Sequence, residues 1–156
     1  MLEALCDSSV EFVVIGGVSG VIHGSAQVTL DLDICFARDL QNLKRLAMAL
    51  RPFHPRPRDF PAGLPFVWDE TTLANGTVFT LKTDLGDMDL LVEVAGVGTY
   101  DEVRKESVWV EAFGRKFATL NVRALIRAKR AAGRAKDLSA LPELESLLEA
   151  GETDSE

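Results

Sequence analysis

Cysteine, histidine and tyrosine are scarce in this sequence, at two, two and one among 156 residues. Cys6 and Cys35 cannot build the disulfide framework of a small secreted domain; both lie in apolar patterns that suit small core residues. His23 and His54 are far apart, and no zinc-ligand spacing joins them. His23 ends an apolar stretch and is expected to be a satisfied structural residue. No apolar run approaches the ~18 residues of a membrane span. The opening segment, MLEALCDSSVEF, carries acids where a signal peptide needs basic residues, so a cytoplasmic protein without a membrane partner is expected. Basic residues are also in the minority, 17 against 24 acids for a net charge of −7. That excludes a protein that coats nucleic acid through its whole surface.

What is present is the make-up of an ordinary globular chain, 47% hydrophobic and 26% charged. A chain of this size buries roughly 70% of its unfolded surface, enough for one core. A single domain over residues 1–150 and an acidic tail over 151–156 are expected. Charge is uneven: Arg115 to Lys136 is basic throughout with no acid, whereas the closing EAGETDSE is acidic and expected to fray.

Along the chain, Leu2 to Asp7 reads as a short helix and Phe12 to Ile15 as a strand buried on both faces, stopped by Gly16-Gly17. VSGVIHG is a short apolar helix ending at Gly24. From Val28 to Phe36 apolar residues alternate strictly with Thr29, Asp31, Asp33 and Cys35, which predicts a nine-residue half-buried strand. Asp39 is an N-cap candidate for a helix through Leu50, and the proline-rich RPFHPRPRDFPAGLP is expected to be a loop. The second half predicts strands at TVFTLKT and DMDLLVEV around a turn at Gly86, and a helix at TYDEVRKES. Strands at VWVEA and RKFATL, a helix from Asn121 to Ala132, and a last helix KDLSALPELESLLEA after Gly133 complete the chain. Helices covering a mixed sheet, then a helical end, indicate an α/β (α+β) domain.

The acids in the strands raise the functional question. Asp31 and Asp33 share one face of their strand; Asp87 and Asp89 share one face of DMDLLVEV. If the two strands are neighbours, three or four carboxylates converge. Unit charges ~4 Å apart at an effective dielectric near 20 interact by about 4 kcal/mol, so something positive must sit among them. Oxygen-only ligands favour a hard cation such as Mg²⁺, which shares itself readily with substrate phosphates. Gly16-Gly17 adds a turn between strand and helix where backbone N–H groups and absent side chains admit phosphate oxygens.

IGG, thirteen residues, then DLDI resembles the signature of the nucleotidyltransferase superfamily that includes DNA polymerase beta, and DMDLL is similar to the strand carrying that family's third carboxylate. The longer VVIGGVSGVIHGSAQVTLDLDI resembles small bacterial members related to abortive-infection toxins. LIRAKRAAGRAKDL is similar to their terminal K…R-x-K-D segment through Lys129, Arg134, Lys136 and Asp137. The resemblance implies a minimal nucleotidyltransferase fold, a short mixed β-sheet flanked by helices with a helical C-terminal segment. It implies that Asp31, Asp33 and Asp89 are catalytic and hold one or two Mg²⁺ ions, with Asp89 activating the acceptor. Gly16 and Gly17 would contact the phosphates of a nucleoside triphosphate such as ATP, and two metals would clamp the attacking and leaving oxygens of an in-line displacement. Such a transferase would act on a hydroxyl of RNA, protein or a small molecule, and a toxin role would bring a cognate antitoxin. The pattern departs at Gln27, where relatives often carry arginine; a neutral amide cannot pair bidentately with phosphate. The alternative is therefore a non-catalytic nucleotide-, RNA- or partner-binding module that keeps the fold.

On a helical wheel Val122, Leu125, Ile126 and Lys129 fall together, and Arg123, Arg127 and Arg130 form a separate stripe. The stripe is a solvated face or a phosphate track. Lys129, set among apolar residues, either snorkels out or extends into a cleft toward a nucleotide phosphate. Ser25 is a further phosphate donor candidate or a plain turn serine. Trp68 and Trp109 are expected in the core.

Overall fold

The computed structural model describes residues 1–155. Its centre is a seven-stranded mixed sheet in the order β3-β4-β5-β2-β1-β9-β8. In chain order these are β1 (Phe12–Ile15), β2 (Leu32–Phe36), β3 (Arg56–Pro57), β4 (Val78–Thr83), β5 (Gly86–Leu91), β8 (Ser107–Ala112) and β9 (Arg115–Leu120); β6 (Glu93–Val94) and β7 (Gly98–Thr99) form a separate pair. Helices α1 (Leu2–Asp7), α2 (Gly16–Ile22), α3 (Leu40–Leu50), α4 (Glu70–Ala74), α5 (Tyr100–Lys105), α6 (Val122–Ala132) and α7 (Ala135–Thr153) pack around it.

Val13 and Val14 are fully buried, as a two-sided strand requires. Alternate residues of the two central strands face opposite cores. Val14, Ile34, Phe36, Met88 and Leu90 pack with Leu43, Leu46 and Leu50 of α3, while Val13, Ile15 and Cys35 pack with Leu125, Ile126 and Leu144 of α6 and α7. Burial of Cys35 pushes its thiol up to about 12, which makes it an inert core residue. Asp39 caps α3 by accepting from the Asn42 N–H, and Asn121 caps α6 by accepting from Ala124. Gly133, in a left-handed conformation, ends α6 and turns the chain into α7.

The predicted nine-residue strand is shortened. β2 starts at Leu32, and Val28 and Leu30 are 90% and 87% exposed. The alternation runs on past the last partners: Ile15 of β1 pairs with Asp33, and Met88 of β5 with Leu32. Before that point the chain folds back so closely that a Cβ on Gly17 would lie 2.7 Å from Thr29 Oγ1. Thr29 turns in, and its two apolar neighbours turn out.

Other boundaries move for similar reasons. α2 begins at Gly16 rather than Val18. The proline-rich stretch is not all loop: a 3₁₀ turn over Arg51–Phe53 leads to β3, a two-residue edge strand on β4. α7 runs to Thr153, so the acidic end continues a helix through that residue and Glu152 pairs with Arg123. Glu156 of the acidic tail lies outside the described residues. Pro142 stands inside α7, where it lacks the N–H that the Leu138 carbonyl would accept. Trp68 is partly buried and donates to the Ala47 carbonyl at 2.9 Å. Trp109 departs from its expected core position. It is 57% exposed on edge strand β8, with the Arg104 guanidinium 4.6 Å from its ring centroid. No described helix is long and apolar enough to cross a membrane.

Candidate active site

β2 and β5 run parallel side by side, with Asp33 and Asp89 directly abreast. Both acids therefore leave the sheet on the same face, since side-chain direction alternates in step along paired strands. Asp31 lies just before β2, and Asp87 lies two residues before Asp89 on β5. The carboxylates that the sequence placed on two strand faces share one surface.

The turn after β1 meets this surface. Gly16 has φ +67°, and a Cβ there would overlap Asp33 Oδ2. Glycine is thus required twice, for the left-handed backbone and for the close approach. Asp33, like Asp31 and Asp89, is half-buried. Burial first, then the neighbouring charges of Asp89 and Asp31, push its carboxyl up to about 6, while Lys136 and Arg134 pull the other way. Its Oδ1 is buried with no hydrogen-bond partner among the described residues. An orphaned carboxylate oxygen is a costly feature that native proteins keep for a ligand or for chemistry.

Lys129 enters the cleft. Its side chain is 13% exposed, and Nζ lies 3.8 Å from Asp137 Oδ1. Asp137, almost wholly buried, also accepts from Arg134 Nε at 2.7 Å and from Arg134 Nη2 at 3.3 Å. The segment from Lys129 to Asp137 thus closes into one network across the α6–α7 turn, with Lys136 on the cavity wall. Two cavities meet there. One, of about 330 Å³, is the more polar of the two and is lined by Gly16, Gly17, Ser25, Asp31, Lys129 and Lys136 together with Leu30 and Leu144. The other, of about 320 Å³, lies beside Asp89 and is walled by Val78, Leu91, Val94, Leu125 and Ala128. Gly16, Asp33, Lys129, Arg134 and Asp137 border both.

Several candidates are engaged elsewhere. Ser25 borders the polar cavity, but its hydroxyl donates to Glu143 Oε2 at 2.7 Å. The arginine stripe is neutralised residue by residue: Arg123 pairs with Glu152, Arg127 with Glu106 and Arg130 with Glu145. His23 is satisfied by the Leu120 carbonyl at 2.5 Å, and His54 by Asp84 at 2.6 Å. Gln27 faces the polar cavity.

Arg58 is the residue that the sequence reading missed. Its Nη2 pairs with Asp89 Oδ1, and Nη1 lies 3.4 Å from Asp87 Oδ2 and 3.9 Å from Asp31 Oδ2. Burial lowers the guanidinium pKa, but Asp89, Asp87 and Asp31 outweigh it and the net shift is upward. Clustered acids need a cation among them, yet nothing near them in sequence supplies one. Pairing of β3 with β4 brings it from the proline-rich segment. No three His, Cys, Asp or Glu side chains among the described residues are arranged to hold a metal ion. The donor chemistry still suits a hard cation: oxygen ligands only, one of them unpartnered.

No known family profile matches the sequence, and no curated protein does either. Among solved structures, a Thermotoga maritima protein provisionally described as a nucleotidyltransferase matches with a TM-score of 0.57 and 16% identity, over 93% of this chain and 90% of that one. The likeness shows the fold alone: a mixed sheet flanked by helices with a C-terminal helix.

Proposed function

We propose that this chain is a Mg²⁺-dependent nucleotidyltransferase that moves a nucleoside monophosphate from a nucleoside triphosphate to a hydroxyl of a small, largely apolar acceptor. The observation that carries the reading is the meeting of Asp33, Asp89 and Gly16 where a polar and an apolar cavity join. Gly16, Gly17 and Lys136 line the polar side, where the phosphates would lie. An in-line displacement needs the nucleophile opposite the leaving pyrophosphate, which is the side of Asp89 and the apolar cavity.

Asp31, Asp33 and Asp89 would hold one or two Mg²⁺ ions, which supply charge neutralisation at the attacking and leaving oxygens. Asp89 orients the acceptor hydroxyl and takes its proton as the new O–P bond forms and the α–β phosphoanhydride bond breaks. Lys129 and Lys136 offset the charge of the departing pyrophosphate. Asp137 holds Lys129 and Arg134 in position. Apolar walls suit a compact organic acceptor better than a phosphate-rich strand. The arginines that would track RNA are already paired with glutamates.

The test is transfer of label from each α-labelled nucleoside triphosphate, with Mg²⁺ or Mn²⁺, to a panel of small alcohols, RNA ends and proteins. Transfer to small alcohols, lost in Asp33→Asn and Asp89→Asn, is expected; transfer to RNA alone would overturn the acceptor assignment. The placement of Arg58 on Asp89, with neutral Gln27 facing the polar cavity, favours a second reading. In it the chain binds nucleotide without turnover, and binding without pyrophosphate release would select it.

A further inference from the structure

Two of the acids that Arg58 holds, Asp31 and Asp89, are also two of the three proposed metal ligands. Asp33, the third, has no hydrogen bond or ion pair from Arg58, and its Oδ1 stays unpartnered. A divalent ion shared by the three acids would draw on the Asp89 oxygen that the guanidinium now pairs with and would lie beside the Asp31 carboxylate, 3.9 Å from Nη1. It would also stand within a few ångströms of a positive charge, where like charges repel strongly. Guanidinium and metal therefore compete for the same carboxylates.

The segment that carries Arg58 is lightly attached. It leaves a two-residue edge strand, and its own N–H donates to the Thr80 carbonyl at 3.0 Å. Pro55 and Pro57 have no N–H to add to the ladder, and residues 61–65 are exposed. Few backbone bonds and little buried apolar surface are the marks of a segment that opens at small cost. Phe60 packs on Phe66, with ring centroids 5.6 Å apart, and Arg56 lies over Phe60, so the strap keeps a shape of its own.

We propose that Arg58 is an internal stand-in for the metal. It holds Asp31, Asp87 and Asp89 in the free protein, and a divalent cation loads the site only by displacing it. The proposal rests on the assignment of Asp31, Asp33 and Asp89 as metal ligands and adds regulation of that site. The proline-rich strap thereby sets the cation concentration at which the site becomes competent.

Mn²⁺ titration of the full chain without nucleotide, with free Mn²⁺ followed by electron paramagnetic resonance, tests it. Arg58→Gln is expected to bind Mn²⁺ at least tenfold more tightly than the unaltered protein. Equal or weaker binding by folded Arg58→Gln overturns the proposal. A measurement on the unaltered chain guards against a variant that does not fold. Saturating Mg²⁺ should speed hydrogen exchange in the peptide spanning residues 58–66, and unchanged exchange there overturns the proposal as well. Tighter Mn²⁺ binding by Arg58→Gln that is lost on adding Asp33→Asn, with no nucleotide transfer by any form, sustains the stand-in and removes the transferase. Transfer by the unaltered chain with Mn²⁺ affinity indifferent to Arg58 does the reverse.

Discussion

Gly16 and Asp33 are packed so tightly that no side-chain carbon fits between the turn after β1 and the carboxylate on β2. Substituting Gly16→Ala therefore strains the backbone and displaces the carboxylate together. Left-handed conformation alone costs a non-glycine residue roughly 1–2 kcal/mol. Gly114, at φ +73° with open space where a Cβ would go, isolates that backbone share. Urea denaturation is expected to show Gly16→Ala more destabilising than Gly114→Ala. Only the former should change Mn²⁺ binding.

Asp33 gives the metal-free protein a pH dependence of definite sign. Its carboxyl is raised to about 6 in the fold, from an ordinary value near 3.8. Between those limits the unfolded chain loses its proton first, so this group's contribution favours the fold below pH ~4 and declines as pH rises to about 6. A shift of this size is worth on the order of 2–3 kcal/mol. Asp33→Asn should flatten that part of the profile and raise the melting temperature at pH 7.5 while removing the response to Mn²⁺. A variant less stable than the parent at pH 7.5 would contradict the assignment of strain to this carboxylate.

Asp137 is the opposite case, a buried acid whose partners are present. Replacing it by asparagine leaves Arg134 and Lys129 without their counter-charge. Breaking a buried pair from one side costs about 3–5 kcal/mol. The Arg134 side chain is 61% exposed and regains water, so the loss expected is that of hydrogen bonds to a charged group, about 1.5–3 kcal/mol. At 2–4 °C per kcal/mol for a chain of this size, calorimetry should record a drop of roughly 3–12 °C. Retention of the parental melting temperature would mean that the α6–α7 turn does not depend on the network.

The shortened β2 predicts a sharp boundary in mutational sensitivity. Leu32→Ala should cost about 2–5 kcal/mol, as expected for a packed leucine. Leu30→Ser, two residues earlier and of the same parity, should stay within ~0.5 kcal/mol, as surface changes do. Similar losses at both positions in chemical denaturation would restore the longer strand.

Strands with their own periodicity were legible from residues alone, because burial on paired strands writes itself into alternation. Phe12–Ile15 and Arg115–Leu120 have the bounds that their patterns predict. The convergence of Asp33 with Asp89 followed from one assumption, that their strands are neighbours. Val28 and Leu30 follow the alternation without joining the strand: alternation is a local property, whereas a strand ends where its partners end. Arg58 is a different case. Among five prolines no period exists, and only a long-range pairing of two residues with β4 carries its side chain to the acids. Mutual repulsion of the acids calls for a positive group there without specifying which. Trp109 was misplaced because β8 is an edge strand, and an edge leaves one row of side chains to cover themselves.

Pro142 divides α7 into stretches with different attachments. The stretch before it carries Lys136 and Asp137 on the wall of the polar cavity; immediately after it, Glu143 grips the loop beyond α2 through Ser25 and the Ala26 N–H. With one backbone rung missing between them, the helix transmits bending poorly at that point. One helix thus carries both the cations of the cavity wall and the glutamate that fastens the neighbouring loop, so the two are set in place together.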